Sequence, residues 1–293
     1  MSKLKFACTA IAATVLVVGG LTACSPLSVI NAVSPGSALQ AGDDVAYGMK
    51  ARQRLDIYRP ASATNSSPVI VFFYGGNWNS GNRGDYAFVG RALAKRGFVV
   101  VIPDYRLSPE VHYPEILEDS AAAVAWTVRE IHNYGGDAAR LFVMGHSAGA
   151  YNAAMVALDP ALLAKAGVKP GAVRGFIGLA GPYNFLPIEN LATRPVFYYP
   201  NTPADSQPIN HVTKASPPSL LIAAKNDDTV NPANNTGALA DAMRADGVSV
   251  QEVYFDRVNH VTLVGSLSTA LKALAPTLDV VQAFVDSDGN RKK

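Results

Sequence analysis

The chain has 293 residues, 49% hydrophobic and 16% charged, with a formal net charge of +2 at pH 7 and a pI near 8.4. So apolar a composition excludes an intrinsically disordered chain, and the regular punctuation of its apolar runs by Gly, Pro and polar residues excludes a multi-span membrane protein. No Lys/Arg run occurs apart from the terminal Arg291-Lys292-Lys293, so nothing reads as an electrostatic footprint for nucleic acid.

In chain order the first segment is a basic start (Lys3, Lys5) followed by an apolar run from Phe6 to about Leu21, too short for a comfortable spanning helix. It closes in Leu21-Thr22-Ala23-Cys24, and the chain's two cysteines, Cys8 and Cys24, both lie within it. This resembles a bacterial lipoprotein signal peptide over 1–23, with cleavage after Ala23 and Cys24 lipidated as a membrane anchor. An ordinary secretory signal cleaved nearby is the alternative. The lipoprotein reading implies a cell-envelope location, with Ser25 favouring the outer membrane. Processing would remove Lys3 and Lys5 and take the formal charge from +2 to 0, leaving neither a disulfide nor a free thiol. Residues 24–43, rich in Ser, Ala, Gly and Pro, read as a tether that could fold back at Leu27, Val29 and Ile30. Residues 44–293 then form the folded domain.

Two short runs, Val45–Met49 and Arg54–Tyr58, read as an antiparallel hairpin at a sheet edge. Beyond them apolar runs alternate with helical patterns. The runs are Val69–Tyr74, Phe98–Ile102, Leu141–Met144, Phe176–Leu179, Leu220–Ala224 and Val250–Phe255. The helical patterns fall near 85–96, 116–132, 148–158 and 233–245, and from Leu263 onward with a break at Pro276. Such alternation points to an α/β fold with a largely parallel sheet covered on both faces. One long irregular stretch, Pro182–Pro218, is rich in proline and aromatics and reads as a lid or pocket wall.

The chemistry gathers around Gly145-His146-Ser147-Ala148-Gly149. A serine two residues from a glycine on each side, straight after a buried strand pattern, is a nucleophile elbow: a sharp strand-to-helix turn that only small neighbours permit. A serine hydroxyl needs a base, itself oriented by an acid. Of the five histidines, His260 alone sits in a loop just past a late strand, Asp256-Arg257-Val258-Asn259-His260. His146 reads as structural, His112 and His132 as surface or capping residues, and His211 as a minor candidate for substrate contact. The loop Asn226-Asp227-Asp228-Thr229-Val230-Asn231-Pro232 offers the acid, Asp227 being preferred and Asp228 the alternative. Oxyanion donors are expected from the Ala148 amide and from Tyr74-Gly75-Gly76-Asn77-Trp78, whose glycines let the backbone approach a substrate; each such donor is worth about 3–4 kcal/mol.

These segments, together with Asp104-Tyr105-Arg106 and Gly135-Gly136-Asp137, resemble in one order an α/β-hydrolase of the esterase branch. That branch includes hormone-sensitive-lipase-like and BD-FAE-like carboxylesterases, kynurenine formamidases and isoprenylcysteine methylesterases. The resemblance runs from about Val45 to Val285. It implies a mostly parallel sheet of eight strands and neither cofactor nor metal. It also implies cleavage of a small-molecule carboxylic ester through an acyl-enzyme on Ser147, with His260 as base, Asp227 as acid and the Gly76, Asn77 and Ala148 amides as oxyanion donors. By the Asp227 spacing, Val230 falls where the family has Val, whereas Ala224 replaces the family's Gly. Tyr74 stands where the family more often has His, which leaves backbone donors intact but puts the loop's internal hydrogen bonding in question. Asp104-Tyr105-Arg106 reads as a turn holding that loop, or alternatively as a source of a pocket arginine. Two other functions stay open: an amide-cleaving relative (an aryl formamidase or peptidase), and a catalytically silent, lipid-tethered binding protein.

Overall fold

The structure, a computed structural model, describes residues 26–34, 36 and 39–290. The expected signal peptide, Cys24 and the basic terminus lie outside the described residues. One sheet holds β1 (Gln40–Ala46), β2 (Arg54–Tyr58), β3 (Ser67–Phe73), β4 (Val99–Pro103), β5 (Gly136–His146), β6 (Val173–Leu179), β7 (Ser219–Ala224) and β8 (Val250–Phe255). Its spatial order is β1-β2-β4-β3-β5-β6-β7-β8. β1 pairs antiparallel with β2, and β2 with β4. Every other neighbouring pair is parallel, so the mostly parallel eight-stranded sheet implied by the resemblance is the one observed.

The central strands are apolar at consecutive positions because both of their faces are covered. Val69, Ile70, Val71, Phe72 and Phe73 of β3 are each 0% exposed, which a strand with one wet face could not be. The covering helices are α1 (Pro26–Ala32), α2 (Ala87–Ala94), α3 (Glu115–Glu130), α4 (Ala148–Leu158), α5 (Pro160–Lys165), α6 (Ala238–Ala245), α7 (His260–Gly265) and α8 (Thr277–Asp286). α4 leads directly out of β5 and is buried on nearly all sides, as its run of Ala, Met and Val requires. In α3, Glu115 and Glu118 occupy the first turn and Arg129 the last, which complements the helix dipole.

Three boundaries differ from the sequence reading. The stretch read as a tether carries α1 and the start of β1, so ordered structure begins before residue 44. α1 is held by Asn31, which accepts from Arg91 Nη2 at 2.6 Å and donates to the Gly84 carbonyl at 2.8 Å, while Ile30 is buried. β1 spans Gln40–Ala46 rather than Val45–Met49; its pattern is exposed because it is an edge strand held by backbone pairing, with no apolar run to announce it. α5 follows α4 at once, its start set by the Asp159 side chain accepting from the Ala161 amide at 2.9 Å with Pro160 in the first turn. Residues 182–218 contain only short 3₁₀ turns.

Because β3, β5, β7 and β8 run parallel, their C-terminal ends open on one edge of the sheet. Tyr74, Ser147, Lys225 and Asp256 are the residues that leave those ends. Loops there can meet although they are far apart in sequence.

Candidate active site

Ser147 sits between β5 and α4 with φ 55° and ψ −125°, a strained conformation for a residue with a Cβ. The turn closes only because its flanks are glycine. A Cβ on Gly145 would stand 2.1 Å from the Gly149 carbonyl oxygen, and one on Gly149 would stand 2.1 Å from that of Phe73. The Ser147 amide donates to Leu179 O at 2.9 Å, fixing the elbow to β6.

Ser147 Oγ lies 2.9 Å from His260 Nε2, and His260 Nδ1 lies 2.8 Å from Asp227 Oδ2. The other oxygen of Asp227 accepts from the Thr229 and Val230 amides, each at 2.9 Å. Burial alone would raise this carboxyl, but the His260 hydrogen bond, the His260 charge and the two amides outweigh it and hold Asp227 below its ordinary 3.8. An ionised carboxylate can only accept, so Nδ1 carries a proton and Nε2 is free to receive one from Ser147. His260 opens α7 under a reciprocal cap between Asn259 and Thr262. Asp228 is exposed and meets Thr229 rather than His260.

The loop after β3 is bent by its own backbone. Gly76 has φ 133° and would clash with Ser80 if it bore a side chain, while Asn77 and Trp78 take φ 50° and 58°. Ser80 donates to Gly76 O from its amide at 3.0 Å and its hydroxyl at 2.9 Å. Tyr74 anchors the loop through both its hydroxyl and its ring. Its hydroxyl donates to Asp104 Oδ1 at 2.7 Å and accepts from Arg52 Nη2 at 2.8 Å, and its ring stacks on Tyr105 at 4.8 Å. Burial first, then the adjacent Tyr105 and Asp104, push this phenol far above its ordinary value, so it stays a donor.

Asp104 also accepts from the Arg83 amide and guanidinium, and Arg106 pairs with Asp119 through two 2.8 Å bonds, away from the cavity. Of the two roles left open for Asp104-Tyr105-Arg106, the geometry matches the turn that holds the loop. Trp78 is buried, with Nε1 donating to Asn152 Oδ1 at 2.9 Å and its ring edge-on to Tyr151 and Phe197.

Asn77, Ser147 and Ala148 line one side of a cavity of about 270 Å³; residues from Pro182 to Thr193 form much of the opposite side, and Thr229–Asn231 close it near the acid loop. That wall is set by two buried amides. Asn235 Oδ1 accepts from the Tyr183 and Asn184 amides at 2.7 and 2.9 Å, Gln207 Oε1 accepts from the Phe185 amide at 2.8 Å, and Asn235 Nδ2 donates to Asn231 O at 3.0 Å. Neither Asn235 nor Gln207 carries a signature that sequence reasoning could have found, beyond the asparagine-rich run 231–235. His211, a minor candidate for substrate contact, instead binds the Asp205 carbonyl outside the cavity lining. His112 stacks on Tyr198, and His132 lies exposed in the turn after α3.

The BD-FAE family model matches residues 55–243. The probable isoprenylcysteine alpha-carbonyl methylesterase ICMEL1 of Oryza sativa subsp. japonica is 36% identical over 48% of this chain and 35% of its own length. The probable carboxylic ester hydrolase LipM of Mycobacterium tuberculosis is 29% identical over 79% of this chain and 59% of its own. The chain thus spans from about a third to under two thirds of the length of these curated relatives. Esterase B of Lactobacillus rhamnosis superposes with a TM-score of 0.76 at 21% identity, covering 96% of this chain and 97% of that one. The fold is that of an α/β-hydrolase.

Proposed function

The chain belongs to the BD-FAE family, and from that premise we propose that it is a serine hydrolase of small carboxylic esters acting through an acyl-enzyme on Ser147. The observation that carries the reading is the unbroken hydrogen-bonded chain from Ser147 Oγ through His260 to Asp227, opening on a cavity beside the glycine loop. In the first step Ser147 Oγ attacks the ester carbonyl carbon and its proton passes to His260 Nε2. Asp227, held ionised, stabilises the imidazolium through Nδ1–H. The carbonyl oxygen becomes an oxyanion facing the Gly76, Asn77 and Ala148 amides. Collapse breaks the bond to the alcohol, which leaves with the proton from Nε2. Water then attacks the acyl-enzyme by the same route and releases the acid. A cavity of about 270 Å³ supports small acyl or alcohol groups rather than long chains.

Labelling with a fluorophosphonate probe, beside hydrolysis of a p-nitrophenyl ester series, aryl formamides and dipeptides, tests this reading. We expect labelling and fastest turnover on short esters, both abolished in Ser147→Ala, with kcat down by about 10⁶-fold. Preferential cleavage of formamides or dipeptides would assign the amide-cleaving alternative. Folded protein that neither labels nor turns over would be the silent binding protein.

The run Leu21-Thr22-Ala23-Cys24 supports a second proposal, that Cys24 is lipidated and anchors the protein in a bacterial cell envelope. Cys24→Ala should then leave the membrane fraction or stall in processing; a processed, fully membrane-bound Cys24→Ala protein would contradict it.

A further inference from the structure

His146, next to the nucleophile, is 4% exposed and takes no part in the reaction proposed above. Its Nε2 lies 2.9 Å from the backbone carbonyl oxygen of His260, and the two rings are 4.9 Å apart between centroids. A carbonyl oxygen only accepts, so Nε2 carries the proton and Nδ1 is the bare nitrogen. Nδ1 is buried with no hydrogen-bond partner and faces the glycine loop, where a Cβ on Gly75 would stand 3.3 Å from it.

We propose that His146 is a positioning residue for His260: a neutral imidazole whose Nε2–H clamps the His260 carbonyl to the nucleophile elbow. The inference rests on the esterase reading for its kinetic consequence, but not for the clamp itself. Its force comes from connectivity. The imidazole of His260 must meet Ser147 and Asp227 together, yet it stands at the first position of a six-residue helix reached by a loop from β8. The Asn259–Thr262 cap orients the residues around it, and the bond from His146 spans 114 residues to hold His260's own peptide against β5. A donor is required at that point, because a carboxylate there would repel the carbonyl.

The donor must also be uncharged. A cation beside the His260 ring would oppose the imidazolium that forms there, and among the described residues Asp227 is the carboxylate that acts on His146. Lys or Arg would make the hydrogen bond and defeat the chemistry. Burial, then the neighbouring His260, push His146 down to about 3, which agrees with the geometry.

The clamp can be read in the wild-type protein without turnover. Nitrogen-15 NMR of histidine-labelled protein should show His146 as the Nε2–H tautomer, not titrating between about pH 5 and pH 9. An Nδ1–H tautomer, or titration in that range, would overturn the proposal whether or not the protein is an esterase. On a short ester, His146→Phe should lower kcat by about 100-fold at nearly constant KM. His146→Gln, whose amide reaches the same carbonyl, should recover most of it. Wild-type kcat in folded His146→Phe, or a His146→Gln protein no faster than His146→Phe, would also overturn it. If His146→Phe does not fold, His146→Gln and the tautomer decide. A wild-type protein without ester turnover would sink the esterase reading while the tautomer still judges the clamp.

Discussion

The two walls of the cavity are held by different forces. On the side of the glycine loop, charges are shared several ways: Arg83 alone reaches Asp44, Asp56 and Asp104 at 2.7, 2.8 and 2.5 Å, and Asp104 in turn holds Tyr74. Across from it, the 182–218 wall hangs on the neutral side-chain amides of Asn235 and Gln207, on aromatic packing, and on Arg194 lying 4.2 Å over the Tyr199 ring. Leu186 on that wall is exposed, as are Leu191, Tyr198 and Tyr199 elsewhere in the same segment, whereas Tyr74 and Tyr105 opposite are fully buried. The difference follows from what each side must do. The oxyanion donors proposed on the glycine loop would lose their value if they moved, and a cross-braced loop matches that proposed role. A wall that shapes the substrate's remainder tolerates looser holding and can vary. The braced side should therefore set rate, and the wall should set substrate range.

The largest expected effect strikes the braced side. Asp104→Ala removes acceptors from Tyr74 and from the Arg83 amide and guanidinium, and should destabilise the fold by about 3–5 kcal/mol in urea unfolding. A loss below about 1 kcal/mol would show that shared charge is not what holds this loop.

Asn235→Ala strikes the wall. It strips the acceptor from the buried Tyr183 amide and the part-buried Asn184 amide and should cost about 1–3 kcal/mol. Its activity signature should differ in kind: a shifted ester chain-length profile, with kcat on the shortest ester nearly kept and fluorophosphonate labelling intact. An unchanged profile, or loss of labelling in folded protein, would erase the distinction between the walls.

Acid probes the junction of the two. The folded chain keeps His146 neutral down to about 3, whereas the unfolded chain protonates it near 6.5. The unfolded state then binds more protons, so stability falls as pH drops through that interval, by about 1.4 kcal/mol per unit and about 2 kcal/mol by pH 5. Asp227, held below 3.8, gives stability that is present above that value and lost only as pH falls beneath it, so of the two only His146 acts between pH 7 and pH 5. Unfolding measured at pH 7 and pH 5 should show the loss in wild type and a flatter response in His146→Gln.

The smallest effect tests the brace at one hydroxyl. Tyr74→Phe keeps the ring stack on Tyr105 but leaves Asp104 and Arg52 without their shared partner, which should cost about 1 kcal/mol. It should lower kcat while leaving KM on a short ester unchanged; a change confined to KM would place the loop's influence in substrate binding instead.

What could be read from the residues alone was what is local. Consecutive apolar residues announce a strand covered on both faces, as in Val69–Phe73. Gly145 and Gly149 announce a crossing too close for a Cβ. Chain order offered Ser147, Asp227 and His260 as partners, and the structure brings those three together while leaving Asp228 exposed. Edge elements were harder to see. β1 buries little and is held by pairing, so no apolar period marks it, whereas α1 is short and its place is marked only by Leu27 and the buried Ile30, where the segment was expected to fold back.

Hardest were the contacts that only adjacency creates: His146 on the His260 carbonyl, Asn235 on the Tyr183 and Asn184 amides, and Arg52 and Asp104 on Tyr74. Each joins loops far apart in sequence. Backbone constraint and hydrophobic period are properties of a few neighbouring residues, and these the sequence determines by itself. A hydrogen bond between distant loops depends on which strand ends the sheet order sets side by side, and only the tertiary structure decides that.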